Sequence, residues 1–309
     1  MSEKEVAVLS PDAIKPRDNP YVIMVRRLFR HRSAQLGMFL LGVLIVCAIF
    51  AEQIAPFDPL VPLKGEKRRS TPCIHLLGCP QSQPQHLMGI DGNTRDLFSR
   101  IIFGARLSLQ IGVATVSFAI IIGGLLGAVA GFIGGWLDDL IMRSLDVLMA
   151  FPSLLLAIAI VAVLGPGLIN ALLAIAIIEI PIFARVVRAS VLSVKELDYV
   201  MASRAQGGSE LHVLFYRIMP NALTPLIVQG TLGIASAILS AAALSFLGLG
   251  AEFPTPEWGL MLGEERNSVF NAPFLVFFPG LAIMLTVLSF NLIGDGLRDV
   301  LDPRLVHGG

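Results

Sequence analysis

Long uncharged runs alternate with short polar ones along this chain, and that alternation predicts its elements. Residues 1–33 are polar and end in a basic run, Arg26, Arg27, Arg30 and Arg32. Pro11, Pro16 and Pro20 discourage a long helix before it. Residues 34–55, with LGMFLLGVLIVCAIFA at their centre, are apolar over about one bilayer thickness of helix. From 56 to 106 prolines, charges and two cysteines predict a long polar loop. Its last part, RDLFSRIIFGAR (Arg95 to Arg106), reads as an amphipathic helix running to the membrane. No charge falls between Leu107 and Leu137, which predicts a second span. There Gly123, Gly127 and Gly131 repeat on one face, as close helix packing requires, although spans are glycine-rich in any case. WLDDLIMRSLD reads as a short charged turn. Val147 to Leu164, interrupted by Pro152, is the third span, and Gly165-Pro166-Gly167 a hard break. Leu168 to about Phe183 is the fourth, Ala222 to Ala251 the fifth, and Pro273 to Gly294 the sixth, kinkable at Pro279. The chain is thus expected to be an all-α polytopic membrane protein of six transmembrane helices. It divides into a tail (1–33), a first helix (34–55), a large loop (56–106), a five-helix core (107–298) and a short tail (299–309).

One polar interruption stands out in the second half. Tyr199 to Pro220, YVMASRAQGGSELHVLFYRIMP, reads as two short helices joined at Gly207-Gly208. In the second, Leu211, Leu214, Phe215 and Ile218 fall at i, i+3, i+4 and i+7, a stripe one helix face wide. Glu210, His212 and Arg217 lie off it. Ser209 is placed to cap the helix and Pro220 to stop it. Pattern alone leaves two readings open, a docking element for a soluble partner and a loop that only connects spans.

Composition agrees with a membrane protein. Of 309 residues 55% are hydrophobic and 15% charged, and mean hydropathy is +0.76, too apolar for a soluble domain. A formal net charge of zero gives no field for nucleic acid. No cleavable signal is evident before the first apolar run. Charge also sets the expected orientation. The N-terminal tail carries Lys4, Lys15 and Arg17 besides its arginine run, and the hairpin region carries Arg185, Arg188, Lys195, Arg204 and Arg217. The segment before the sixth span is acidic, with Glu252, Glu257, Glu264 and Glu265 against Arg266. Lys64, Lys67, Arg68 and Arg69 sit in a long loop and weigh little. Both termini and the hairpin are therefore expected in the cytoplasm, and residues 56–106 outside it.

The chain lacks the patterns of catalysis. No G-x-x-x-x-G-K-[ST], H-E-x-x-H, paired C-x-x-C or G-x-S-x-G occurs, so no nucleotide, metal or nucleophile site is expected in it. Proton- or sodium-coupled carriers usually hold several intramembrane ionisable groups, and here only Glu179 lies well within a span. Glu179 either lines a central path or sits near the cytoplasmic end and meets Arg185. Pro181, which follows, favours the second. Gln229 in the fifth span is the other candidate for a translocation path. Cys47 reads as a small core residue. Cys73 and Cys79, five residues between them, could close a disulfide in an oxidising compartment. A metal there would need more ligands than His75 and His86 supply.

Three stretches carry a resemblance to a known family. They are HLMGIDGNTRDLFSRIIFGARLSLQIG (His86 to Gly112), Met201 to Pro220, and LSFLGLGAEFPTPEWG (Leu244 to Gly259) with FPGLAIMLTVLSFNLIGDGLRDVLDPRL (Phe278 to Leu305). The sequence resembles the C-type membrane-spanning permease subunit of dipeptide and oligopeptide importers of the ATP-binding-cassette class, with nickel permease subunits as near relatives. The second stretch is similar to the E-A-A-x-x-x-G and I-x-L-P signature of such permeases. Met201, Ala202 and Ser203 stand where Glu, Ala and Ala are usual, Gly207 keeps the glycine, and Arg217, Met219 and Pro220 fill the later positions. In the first stretch Ile90 and Thr94 depart from the usual Thr and Gly, and the segment Cys73 to Pro84 is longer than usual.

The resemblance implies a type I importer transmembrane domain in the inner membrane. It also implies a second permease subunit, in a heterodimer, and two cytoplasmic ATPases that hold ATP and magnesium, so that this chain carries no cofactor. An extracytoplasmic binding protein would deliver peptide, with nickel or another small solute as the alternative cargo and a secondary transporter as the remoter reading. Its partners would be these proteins and membrane lipid, with no nucleic acid. The implied ATPase contact is the hairpin, through Ala202, Ser203, Arg204, Gly207, Gly208, Glu210, Arg217 and Pro220.

Overall fold

The computed structural model describes residues 25–301, and within them the apolar runs are helices. The prolines and charges of residues 1–24, and those of 302–309, lie outside the described residues. The long helices are α1 (Arg32–Ile49), α2 (Leu97–Ile133), α5 (Leu168–Val194), α7 (Thr224–Phe246) and α9 (Phe274–Leu301), each apolar enough over 18 residues to cross a membrane. Between them lie α3 (Gly135–Met149), α4 (Ser153–Leu164), α6 (Asp198–Ala205) and α8 (Trp258–Glu264). Among the described residues there is no β-strand, only two isolated bridges, Cys73 with His86 and Ile90 with Asp96.

Several boundaries differ from the sequence reading, each for a physical reason. The predicted amphipathic helix and second span are one helix, α2. The Asp96 carboxylate caps it by accepting from the Ser99 amide at 2.8 Å, and neither proline nor a second cap interrupts it until Gly134. At 1.5 Å per residue α2 is roughly 55 Å long, against about 30 Å of hydrocarbon, so its first turns stand clear of the lipid. The loop predicted over 56–106 therefore ends at Asp96. WLDDLIMRSLD is not a turn but most of α3, a helix with one apolar and one charged face. α3 and α4 meet at 92° across Ala150, Phe151 and Pro152. α4 alone has 12 residues, roughly 18 Å, too short to cross by itself. Pro181 does not end α5, which continues to Val194, because the packed neighbours hold the helix through the one amide that proline lacks.

α2 against α5 is the most extensive helix pairing and the centre of the bundle. The glycine repeat makes it possible. A Cβ at Gly123 would lie 2.7 Å from the Ile180 carbonyl oxygen, one at Gly131 2.9 Å from that of Arg188, and one at Gly127 would overlap the Ala184 carbonyl. The three glycines thus let two backbones touch over two turns. Phe183, Val187 and Val191 fill the gap beside them, fully buried. α7 lies across this pair and α9 against α7, while α1 packs on α9, with Gly37 over the Ser289 carbonyl.

One end of the bundle collects the beginning of α1, the end of α9 and the segment between α5 and α7. His31 pairs with Asp299 there, and Lys195 Nζ donates to the Gly131 carbonyl. The other end carries the loop before α2 and the segment around α8.

Candidate functional site

Residues 199–222 form a hairpin at the first of these ends. Its first arm is α6. Its second runs through Glu210–His212, a π-helical stretch Val213–Ile218 and a final turn Met219–Ala222. The turn is built by two glycines with different tasks. Gly207 has φ +82°, a left-handed conformation that side-chain-bearing residues enter at a cost, and open space around it. Gly208 lies under α6, where a Cβ would come within 2.9 Å of the Ser203 carbonyl. Ser209 caps the second arm, its hydroxyl accepting from the His212 amide. Across the turn Arg204 and Glu210 pair at 3.3 Å, and the Arg204 guanidinium lies 5.7 Å over the Phe132 ring at the end of α2.

The π-helical stretch changes which face is buried. With one more residue per turn, Val213, Leu214 and Ile218 point into the core beside Val200 and Val191. The expected stripe is therefore split: Leu214 and Ile218 are inside, while Leu211 is 69% and Phe215 54% exposed. Tyr216, 71% exposed, joins them and stacks on His212. Met201 and Ala202 on α6 are exposed too, whereas Ser203 is buried beneath the turn. Pro220 does not stop the helix. It sits in the first turn of Met219–Ala222, where its missing N–H costs least, and the chain stays helical around it. The base of the hairpin is tied by residues the sequence reading passed over. Tyr199 Oη donates to the Arg217 carbonyl, and Asn221 Nδ2 donates to both that carbonyl and Tyr199 Oη, each at 3.0 Å. The exposed Arg217 side chain is left free to face outward from this base.

Beneath the hairpin two arginines fix α3 to α5. Arg188 holds Asp138 with both guanidinium edges, its terminal nitrogen 2.6 Å from Oδ2, and Arg185 pairs with Asp146. Arg185 is therefore not the partner of Glu179. Glu179 lies midway along α5, 7% exposed, and accepts from the Ser236 hydroxyl of α7 at 3.1 Å. It does not meet Gln229, the other expected path residue. Glu179 borders a small cavity with Ser153, Ser236 and Ser240, whereas Gln229 borders a larger one, about 340 Å³, with Thr224, Pro225 and Arg298 near the hairpin end.

The opposite end holds a buried charge network. Arg95 donates to Asp91 at 2.8 Å and to Glu264 at 3.0 Å. Arg100, with no exposed surface, donates to the carbonyls of Pro59 and Pro254, both at 3.2 Å, and meets Glu264 at 3.4 Å. Arg69 and the Gly92 amide both reach Glu265. His86 pairs with Asp96, the cap of α2, at 2.8 Å. Burial pushes the Glu264 carboxyl above the usual carboxylate range, and Arg100 and Arg95 pull against that. Burial likewise raises Glu257, against the amides that it caps at the start of α8. These contacts fasten the loop before α2 to the segment around α8. Cys73 and Cys79 are disulfide-bonded within that loop, Cα atoms 5.4 Å apart, and Cys47 is a half-buried free thiol on α1. Among the described residues no three His, Cys, Asp or Glu side chains gather as metal ligands.

Comparison with known proteins adds to this geometry. Residues 120–307 match the family described as binding-protein-dependent transport system inner membrane component, and residues 19–68 match the N-terminal TM domain of oligopeptide transport permease C. The chain is 46% identical to the dipeptide transport system permease protein DppC of Alkalihalophilus pseudofirmus, over 98% of this chain and 97% of that one. It is 50% identical to the di/tripeptide transport system permease protein DppC of Pseudomonas aeruginosa over 90% of each. It is 45% identical to the glutathione transport system permease protein GsiD of Escherichia coli, over 96% of this chain and 94% of that one. Among solved structures, a chain of the inward-facing MetNI methionine ABC transporter superposes with a TM-score of 0.54 at 19% identity, over 67% of this chain and 98% of that one, a likeness of fold.

Proposed function

The chain belongs to the family of binding-protein-dependent inner membrane transport components, as a permease of the ATP-binding-cassette importer class, and from that premise we propose that it imports peptides. It supplies half of the path, and a similar second permease supplies the other half. Two cytoplasmic ATPases bind ATP and magnesium, and an extracytoplasmic binding protein delivers cargo. The names of the similar permeases, for dipeptides, di/tripeptides and glutathione, support peptide over nickel. The bent pair α3–α4 counts as one crossing in this reading, which gives six spans and leaves both termini and the hairpin in the cytoplasm. The basic residues of the N-terminal tail and hairpin region support that orientation.

The observation that carries the mechanism is the two-sided hairpin. Val200, Val213, Leu214 and Ile218 root it in the core, while Met201, Leu211, Phe215 and Tyr216 leave an apolar face uncovered among the described residues. Exposed apolar side chains on a rigid polar-rimmed element mark an interaction site. An ATPase groove that takes this face moves the hairpin as one piece when the ATPases close, because the Tyr199–Arg217–Asn221 bonds and the Arg204–Glu210 pair hold its two arms together. The motion passes to α5 and α7, which the hairpin joins. Met201 replaces the usual glutamate of this surface, so contact rests on shape and on the apolar face more than on that charge. A cross-linking experiment tests the reading. In the assembled transporter, cysteine at Leu211 or Phe215 should join an ATPase through a short bifunctional reagent, with a yield that changes on adding ATP. Cross-links to no ATPase from either position would overturn it.

A further inference from the structure

Glu179 is the unusual side chain of the bundle. It lies about halfway along α5, and among the described residues no cation pairs with it. A carboxylate at that depth is costly and is found facing a bundle interior or a wet cavity. Here it borders a cavity of about 40 Å³ with Ser153, Ser236 and Ser240. Three hydroxyls gathered from α4 and α7 around one carboxylate are a polar patch in otherwise apolar helices. Ser236 occupies one carboxylate oxygen, Oε1, and the other keeps its capacity to accept. The cavity opens outward. Ser153, Leu154 and Ser236 at its rim are exposed, with no cover from the other described residues. The 92° bend between α3 and α4 exposes the start of α4 there.

We propose that this pocket takes the N-terminal ammonium of the peptide cargo during its passage, with Glu179 as its counter-charge and the serine hydroxyls as acceptors. The inference rests on the peptide-import reading above. An ammonium offers three donors and no acceptor, which matches one carboxylate oxygen and neighbouring hydroxyls. The α-amino group is mostly protonated at neutral pH. The cavity has room for a water-sized group and none for a side chain, so it reads what all linear peptides share and stays indifferent to sequence. A hard metal cation needs six or more oxygens and several carboxylates, and only one carboxylate is present. The lining holds no second titratable group to continue a proton relay.

The test uses the complete transporter, with both permeases, ATPases and binding protein, in proteoliposomes. Uptake of Ala-Ala and of N-acetyl-Ala-Ala is compared at saturating binding protein, for the native chain and for Glu179→Gln. The ratio of free to acetylated uptake should fall about tenfold in the variant, the lower end for one hydrogen bond to a charged group. An unchanged ratio, including equal loss of both cargoes as from a broken Glu179–Ser236 strut, would overturn the proposal. If the acetylated peptide is not carried at all, a second measurement decides. Leu154→Cys, at the rim of the pocket and with Glu179 and the serines intact, should in a Cys47→Ser background react with a cationic methanethiosulfonate, and Ala-Ala should slow that reaction during turnover. Unaltered labelling in the presence of cargo would overturn it. Failure of the native transporter to carry any peptide, with ATP-driven uptake of another solute, would instead sink the peptide reading.

Discussion

Gly207 sets the hairpin turn through its backbone conformation. Its φ of +82° is strained for any residue with a Cβ, yet nothing lies close enough to clash with one. Replacement by valine therefore tests backbone conformation alone, at about 1–2 kcal/mol. Gly207→Val should keep the subunits assembled while reducing peptide taken up per ATP hydrolysed, measured together in proteoliposomes. An unchanged ratio would show that the turn is not part of the coupling path. Arg100 is the counterpart at the other end. Fully buried and bonded to Pro59, Pro254 and Glu264, it ties three separate segments. Arg100→Met removes the donors and leaves the acceptors buried, a loss of roughly 3–5 kcal/mol for a broken buried pair. The purified subunit should unfold at a lower temperature, and Arg100→Met with Glu264→Gln should recover part of the loss. A double variant no more stable than the single would disprove the pairing. Sequence reading uses Glu264 and Glu265 as charges that set orientation, gives Arg69 little weight, and places Arg95 and Arg100 only within an amphipathic helix. The partners lie up to 196 residues apart, and no local periodicity connects them.

At the scale of elements, the glycine repeat on α2 was legible as a small-residue face, but its partner was not. The structure gives α5 as that partner, with Gly127 against the Ala184 backbone, where no side chain can yield. Gly127→Leu should separate the two helices and cost about 3 kcal/mol, the upper end for overpacking. The variant should show a lower melting temperature in detergent and faster proteolysis at the hairpin, where α5 ends. Normal stability would mean that α2 and α5 do not touch there. The hairpin itself was read to within two residues from its glycines, its serine cap and its apolar positions. Its expected single stripe is split, because a period of 3.6 does not hold through a π-helical stretch. That one extra residue per turn sends Phe215 outward and brings Val213 in. The change leaves Phe215 exposed together with Leu211 and Tyr216. The bend at Phe151-Pro152 is also visible as a proline, whereas its 92° angle and the Arg188–Asp138 pair that holds α3 to α5 are not.

On the scale of the whole molecule, the two ends carry different structures on one frame, the α2–α5 pair. α2 and α5 join them, with the serine-lined pocket of Glu179 midway along α5. The sequence by itself determined that this chain is helical, that it belongs in a membrane, which family it belongs to, and where its hairpin lies. These properties are local or additive: lipid selects long uncharged runs, and glycine and serine fix turns within a few residues. Only the tertiary structure decided that Glu179 meets Ser236 rather than Arg185, that the charges of the loop before α2 and of the α8 segment close into a buried network, and which hairpin face stays exposed. Each of those depends on side chains brought together from distant positions, where burial makes an unpaired charge expensive and so sets which pairs form.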